Sequence, residues 1–238
     1  MGLRSFILQT GDRMTELKHP YISVDIHGRG SYGGGQQFSE SAMIRRCGCG
    51  IIAATDLLVY LSRWHRYGAA DFFAGLLAEP PLSFSAYTAC IRRMSKRYFP
   101  MIPYAGINGL MLMAGMERFF REHAMPYTAR WCFLSSRMWE RMSEMLRQDI
   151  PVIMSVGPNF PVIWGDRRVR FYVKTPDGAY IPAAGAKAHY FTVTGMDADW
   201  LRISSWGRLY YLNRKEFHEY VSRYSLGFTS NILLVEKK

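Results

Sequence analysis

The chain has 238 residues, of which 49% are hydrophobic and 21% charged, the balance of an ordinary globular protein. This composition excludes wholesale disorder, and the length is typical of one domain or of one domain with two lobes. The net charge is +11, but no nucleic-acid-binding motif accompanies the basic residues. No specific nucleic-acid partner is therefore expected.

The apolar stretches and the cysteines indicate a cellular location. The longest apolar runs, at 51–61 and 109–116, fall short of the roughly 18 residues that span a membrane. Residues 1–10 contain one arginine and a short apolar run without a cleavage site, so they do not resemble a signal peptide. Four cysteines are few for a secreted disulfide framework. We expect no membrane span, free thiols and a cytoplasmic protein.

The first half of the chain is predicted to be mainly helical. Its first 35 residues carry many glycines and are predicted to be extended or irregular. Apolar residues then recur at three- and four-residue spacings, which predicts a helix at 50–65. Further helices are predicted at 83–97, at 108–123 with Asn108 as N-cap, and from Ser135 or Ser136 to 148.

The second half is predicted to be mainly strands. The predicted strands lie at 152–156, 169–173, 179–181, 188–195, 200–204, 209–212 and 229–235. One short helix, at 213–223, is predicted between the last two strands, with Asn213 as its N-cap. Helices followed by antiparallel strands are typical of the α+β class. We expect a single domain over 1–238, with a helical lobe at about 36–150 and a sheet lobe at about 151–238.

Cys49 is the first candidate for chemistry. It lies in Cys47-Gly48-Cys49-Gly50, immediately before the first strongly periodic helix. The N-terminus of a helix favours a thiolate, which is the nucleophilic form of cysteine. The same position also suits an inert core cysteine, so the thiol alone does not establish a site. A second pair of metal ligands is missing, and no metal or cofactor is expected.

His189 is the second candidate, at the start of a predicted strand. It lies 140 residues after Cys49, and a cysteine with a histidine 130 to 150 residues downstream is the order found in papain-like enzymes. Ser204-Ser205-Trp206-Gly207 follows the next strand, and a serine there could orient the imidazole. Gln36, or its neighbour Gln37, follows three glycines and could donate to an oxyanion.

Together these motifs resemble the papain-like cysteine peptidases. The likeness is greatest to bacterial peptidases similar to the bacteriocin-leader-processing domains. That branch has Cys-Gly-x-x-Ala at the nucleophile, here Cys49-Gly50-Ile51-Ile52-Ala53, and a His-Tyr strand, here His189-Tyr190-Phe191-Thr192-Val193-Thr194-Gly195. The resemblance extends from Gly34 to Trp206, although residues 66–150 match no motif.

The resemblance implies an α+β papain-like fold and a role for each residue. Cys49 would be the nucleophile, His189 the base and acid, and Gln36 an oxyanion donor. Ser204 would orient His189, with Ser205 as the alternative. Gly50, Tyr190 and Trp206 would border the substrate. Three departures are visible: the glutamine lies farther from the cysteine than is usual, serine occupies the position of the usual Asn or Asp, and Cys47 is a second candidate nucleophile. Cys49 is preferred over Cys47 because Gly50-Ile51-Ile52-Ala53-Ala54 follows it.

The sequence therefore predicts a cysteine-dependent hydrolase acting on a peptide or acyl substrate through an acyl-thioester. Acyl or peptidyl transfer on the same site is one alternative, and a catalytically degenerate binding module is another. The predicted hairpin at 169–181 would form one side of the cleft. Its basic residues, Arg167, Arg168, Arg170 and Lys174, would favour an acidic or carboxylate-bearing substrate.

Overall fold

The computed structural model describes residues 14–66, 69, 71–73, 75–77, 80–132 and 137–238. Within these ranges the helices are α1 (Ala42–Cys47), α2 (Cys49–Trp64), α3 (Phe84–Arg97), α4 (Gly109–Glu122), α5 (Met138–Arg147) and α6 (Arg214–Tyr224). A short 3-10 helix, Gln36–Phe38, precedes α1.

The described strands comprise a large sheet and a small hairpin. They are β1 (Thr15–Glu16), β2 (Asp25–Ile26), β3 (Arg29–Gly30), β4 (Tyr127–Trp131), β5 (Val152–Val156), β6 (Val169–Lys174), β7 (Tyr180–Ala186), β8 (His189–Met196), β9 (Trp200–Ser205), β10 (Arg208–Asn213) and β11 (Ile232–Lys237). Nine of them form one sheet in the order β4-β11-β5-β8-β9-β10-β6-β7, with β1 paired to β8. All the pairings in this sheet are antiparallel.

Helix α2 is the centre of the core. All of its residues from Gly50 to Ser62 are buried, including the carboxyl-bearing Asp56. A helix that is apolar all round must be covered on every side. It packs against β8 and β5 of the sheet and against α3 and α4. The sheet and the helices therefore fix α2, while its N-terminus brings Cys49 to a partly exposed position.

Local sequence signals explain where several elements begin. The Asn108 side chain accepts a hydrogen bond from the Met111 N–H (2.9 Å), and Asn213 accepts from the N–H groups of Lys215 and Glu216 (3.1 Å each). These bonds satisfy amide groups that the first turn of a helix leaves unpaired. Both predicted N-caps are confirmed.

The helices and the large antiparallel sheet are compatible with the predicted α+β class, but the expected division into lobes is only partly right. Strand β4 lies within the region predicted to be helical and pairs with β11, and β1 pairs with the end of β8. The sheet therefore includes strands from both halves of the chain. Helix α1 was not predicted, and the proposed helix start at Ser135 or Ser136 lies outside the described residues.

Candidate active site

Cys49 is the first residue of α2. Gly48 is the N-cap residue and has no side chain, so no capping side chain satisfies the first N–H groups of α2. The backbone N–H groups of Tyr190 and Gly50 lie close enough to the Cys49 sulfur to favour its thiolate. The thiol therefore lies between the start of the central helix and the start of β8.

His189 is the first residue of β8 and is held on two sides. Its Nε2 lies 2.8 Å from Ser205 Oγ, and the Trp206 indole stacks on the imidazole with 4.5 Å between ring centroids. Thr192 pairs with Ser204, so the antiparallel register brings His189 to the level of the turn after β9. Ser205 therefore bonds to Nε2 of the imidazole and not to Nδ1.

Ser205, and not Ser204, is therefore the serine that orients His189. The Ser204 hydroxyl donates instead to the Tyr32 carbonyl, at 2.7 Å. Successive side chains of a strand point to opposite faces, so only one of two neighbouring serines can reach the imidazole. The expectation that Ser204 orients His189 is therefore wrong, and the neighbouring residue, Ser205, takes this position.

The turn between β9 and β10 holds Trp206 in an uncommon backbone conformation. Trp206 has φ +50° and Gly207 has φ +72°, as a two-residue hairpin turn of this kind requires. A bulky residue with positive φ is strained by about 1–3 kcal/mol and persists where its surroundings fix it. Here the Gly207 N–H donates to the Gly34 carbonyl (2.8 Å), and the Gln37 side-chain amide donates to the Trp206 carbonyl (2.8 Å).

Gln36 reaches the site and Gln37 does not. Gln36 lines the same cavity as Cys49 and His189, whereas Gln37 is exposed and bonded to the turn. The Gln36 amide nitrogen donates to the Arg45 carbonyl at 2.7 Å, which leaves its second N–H for another acceptor. Its Oε1 is buried and has no hydrogen-bond partner among the described residues.

Asp56 is a buried residue of the site that the sequence reasoning did not identify. It lies two turns after Cys49 on α2 and accepts hydrogen bonds from the Gly34 N–H (2.8 Å) and from the hydroxyls of Tyr21 and Tyr87. Burial raises the pKa of Asp56 to about 6, against the opposing effect of these hydrogen bonds. Asp56 thus holds the glycine loop, residues 33–35, beside the thiol. A lone acidic residue within an apolar helix was the only signal in the sequence.

Cys49 and His189 line both a small inner cavity and a larger outer cleft. The inner one, of about 20 Å³, is bordered by both residues and by Gln36, Asp56 and Ser205, and it has room for about one water molecule. The outer one is a cleft of about 410 Å³ that opens to the surface. Cys49 and His189 therefore both border a cleft that is open to the surface.

Of the three residues expected to border the substrate, the structure places two at the cleft and one away from it. Tyr190 and Trp206 line the cleft. Gly50 lines neither space: it is buried, and a Cβ there would lie 2.5 Å from Ile107 and 3.2 Å from the Tyr190 ring. The expected substrate contact at Gly50 is therefore corrected, because this glycine serves the close packing of Ile107 and Tyr190 on the start of α2.

The basic residues around the cleft also differ from expectation. Of the four residues predicted to favour an acidic substrate, only Arg168 borders the cleft. Arg170 pairs with Glu216 at 2.9 Å, while Lys174 and Arg167 lie over the Tyr180 and Tyr224 rings. Two cations that the sequence reasoning overlooked, Arg46 and Lys187, line the cleft instead.

The protonation of the pair departs from the expected thiolate. Burial raises the pKa of the Cys49 thiol, which outweighs the backbone N–H groups of Tyr190 and Gly50 that favour its thiolate. Burial likewise lowers the pKa of His189 to about 3. At neutral pH both groups are therefore uncharged. Nε2 of the neutral imidazole shares a hydrogen bond with the Ser205 hydroxyl, which can act as donor or acceptor.

Within the described ranges, no group of three or more His, Cys, Asp or Glu is arranged to hold a metal ion. Among the same residues, no helix has both the length and the apolar character that crossing a bilayer requires. Comparisons of the chain with models of protein families, with curated proteins and with solved structures found no match.

Proposed function

We propose that the chain is a cysteine-dependent hydrolase of papain-like architecture that acts through an acyl-thioester on Cys49. One observation carries the proposal. Cys49 and His189 are 140 residues apart in sequence, yet they border one small cavity in which Ser205 and Trp206 fix the imidazole. A nucleophile beside a base that a third group orients is the arrangement that covalent catalysis needs.

The protonation states favour attack with concerted proton transfer. As the Cys49 sulfur bonds to the substrate carbonyl carbon, Nδ1 of His189 takes the thiol proton, and the imidazolium that forms is stabilised by Ser205. The imidazolium then gives this proton to the departing amine or alcohol, which leaves the acyl-thioester. Water, deprotonated by the neutral imidazole, attacks the thioester, and the thiol recovers its proton as the acid is released.

The oxyanion that forms during attack has two donors close by. The backbone N–H of Cys49 belongs to the uncapped first turn of α2, and the second amide hydrogen of Gln36 is not used by Arg45. Donors of this kind act on charge that develops only in the transition state. Asp56 acts on Gln36 indirectly, as a positioning residue, because it binds Gly34 two residues earlier.

The charges of the cleft favour a substrate with an anionic group. Arg46, Arg168 and Lys187 border the cleft. Asp166 pairs with Arg168 and Lys187, at 3.0 and 2.9 Å, whereas Arg46 lies over the Tyr104 ring. Within the described part of the chain, Arg46 has no carboxylate partner, so it is the cation we assign to a substrate carboxylate.

Acyl transfer is the second candidate, and the burial of His189 favours it. His189 is buried and the inner space holds about one water, so an amine that fills the cleft would compete well with water for the thioester. Both reactions use the same nucleophile and base. They differ only in the group that receives the acyl chain.

The test is turnover of acyl esters and peptides by purified variants. We expect Cys49→Ala and His189→Ala to abolish turnover while the thermal unfolding transition stays cooperative. Cys47→Ala is the matched control, since it removes the neighbouring thiol and should retain turnover. Product masses with and without an added amine separate hydrolysis from transfer. Full activity in Cys49→Ala, or loss of activity in Cys47→Ala alone, would contradict the assignment.

A further inference from the structure

The loop between β5 and β6 exposes an unusual concentration of apolar side chains. Residues 160–164, here called the tip, include Trp164, which is 82% exposed, and Ile163, which is 69% exposed. Phe160 and Val162 are also exposed. Single exposed apolar residues are ordinary, but four within five residues form a contiguous patch of the kind that marks an interaction site.

The structure holds the tip in this exposed position. The buried Asn159 side chain donates to the Arg167 carbonyl and accepts from the Arg167 N–H, both at 3.0 Å, so it closes the base of the loop. The Gly165 N–H donates to the Val162 carbonyl (2.9 Å), and Lys187 Nζ donates to the Gly165 carbonyl (2.6 Å). The loop base is therefore organised around the outward-facing tip.

A neighbouring turn extends the apolar patch. The Phe160 N–H donates to the Tyr224 carbonyl at 2.9 Å, which joins the tip to the segment after α6. Leu226 and Phe228 in that segment are also exposed. Two separate stretches of the chain, joined by this hydrogen bond, thus both carry exposed large apolar side chains.

Basic residues surround the same patch. Arg167 and Arg168 follow the tip, Lys187 contacts Gly165, and Arg223 borders the tip in a groove of about 310 Å³. Asp166 pairs with Arg168 (3.0 Å) and Lys187 (2.9 Å), so within the described residues Arg167 and Arg223 are the cations of this group without a carboxylate partner. Apolar and aromatic side chains with flanking arginines and lysines match the boundary of a bilayer, where rings enter the acyl region and cations meet anionic headgroups.

We propose that the tip inserts into the surface of a membrane that contains anionic phospholipid, with Arg167 and Arg223 against the headgroups. A second copy of this chain is a poorer occupant, because pairing two such patches would bring like charges together in a protein of net charge +11. Arg168 and Lys187 also border the cleft of Cys49, so insertion would place the cleft entrance beside the lipid. Insertion does not require the proposed catalysis.

The test is co-sedimentation with vesicles of phosphatidylcholine alone and of phosphatidylcholine mixed with phosphatidylglycerol. We expect binding to the mixed vesicles, weakened by about 10-fold or more when Ile163→Ser and Trp164→Ser are combined. Ile181→Ser is the matched control, because Ile181 is 48% exposed on the edge strand β7 and should leave binding unchanged. Arg167→Gln with Arg223→Gln should weaken binding to the mixed vesicles and reduce its salt dependence.

Insertion itself is tested by fluorescence quenching with brominated lipids. The wild-type protein should be quenched on mixed vesicles, and Trp164→Phe should bind but lose most of that quenching. Absence of binding to the mixed vesicles would overturn the proposal. So would equal binding by the double serine variant, which would indicate charge attraction alone. Concentration-dependent dimers that the double variant abolishes would identify a second copy as the occupant and overturn the proposal too.

Discussion

The neighbouring serines after β9 allow a matched test of the site. Ser205 and Ser204 are each 4% exposed, and each makes one short hydrogen bond, of 2.8 Å to His189 and of 2.7 Å to the Tyr32 carbonyl. Replacing either by alanine removes one buried bond to a neutral group, which costs about 1 kcal/mol of stability. We expect similar falls in melting temperature, of about 2–4 °C, for Ser205→Ala and Ser204→Ala.

Their effects on catalysis should differ. His189 becomes an imidazolium during the proposed attack, and a hydrogen bond to a charged group is worth about 0.5–2 kcal/mol more than one to a neutral group. The rate depends only on how much stronger the Ser205 bond is in the transition state, with the imidazolium, than in the ground state, with the neutral imidazole. Losing this extra strength should lower the acylation rate of Ser205→Ala by about 2- to 30-fold. Ser204→Ala should stay within about twofold, because the Ser204 hydroxyl bonds to the Tyr32 carbonyl and not to the imidazole.

The assay is the rate at which p-nitrophenyl acetate acylates the protein, followed by release of p-nitrophenolate, with the melting temperature measured on the same samples. A larger loss of rate in Ser204→Ala than in Ser205→Ala would refute the orientation of His189 described above. An unchanged rate in Ser205→Ala would refute the role of that hydrogen bond.

Two further predictions concern the support of the glycine loop. Burial raises the pKa of Asp56 to about 6, so the folded state binds this proton more tightly than the unfolded chain does. Proton binding therefore adds roughly 3 kcal/mol to the free energy of unfolding below about pH 4, and this stabilisation is lost as the pH rises through 6. Urea unfolding across this range should show wild type losing stability relative to Asp56→Asn, and a relative gain would contradict the burial argument. A Cβ at Gly34 would lie 1.7 Å from the Tyr87 hydroxyl, so Gly34→Ala should displace the loop and slow acylation by about 10- to 100-fold. Gly28→Ala, where φ is +81° and nothing lies within 4 Å, should leave the rate unchanged, and equal rates in both variants would exclude a positioning role for the loop.

Local sequence patterns predict many of the helices and strands. Helices α2, α3 and α4 and most strands after Pro151 begin and end within a few residues of their predicted bounds, because apolar spacing and N-caps act over short stretches. Strand β7 is the exception, since it continues to Ala186, well beyond its predicted end at Ile181. Strand β4 was missed since its partner, β11, lies about 100 residues later in the chain. A five-residue strand is stabilised by such a partner more than by its own sequence.

The site was predicted in outline, and its errors have physical causes. The order of Cys49 and His189 pointed to both residues, and the structure places them at one cavity. Choosing between Ser204 and Ser205 required the geometry of the turn at Trp206. The helix N-terminus suggested a low pKa for Cys49, but the pKa also depends on burial, which the complete fold decides.

The central claim is that Cys49 is a nucleophile whose attack depends on His189. The most direct measurement is peptide mapping by mass spectrometry after brief exposure of the protein to p-nitrophenyl acetate at neutral pH, in the wild type and in His189→Ala. We expect one acetyl group, on Cys49, in the wild type, and acylation slower by about 100-fold or more in His189→Ala. Acetylation of Cys47 at the same rate as Cys49, or an unchanged rate in His189→Ala, would contradict the account.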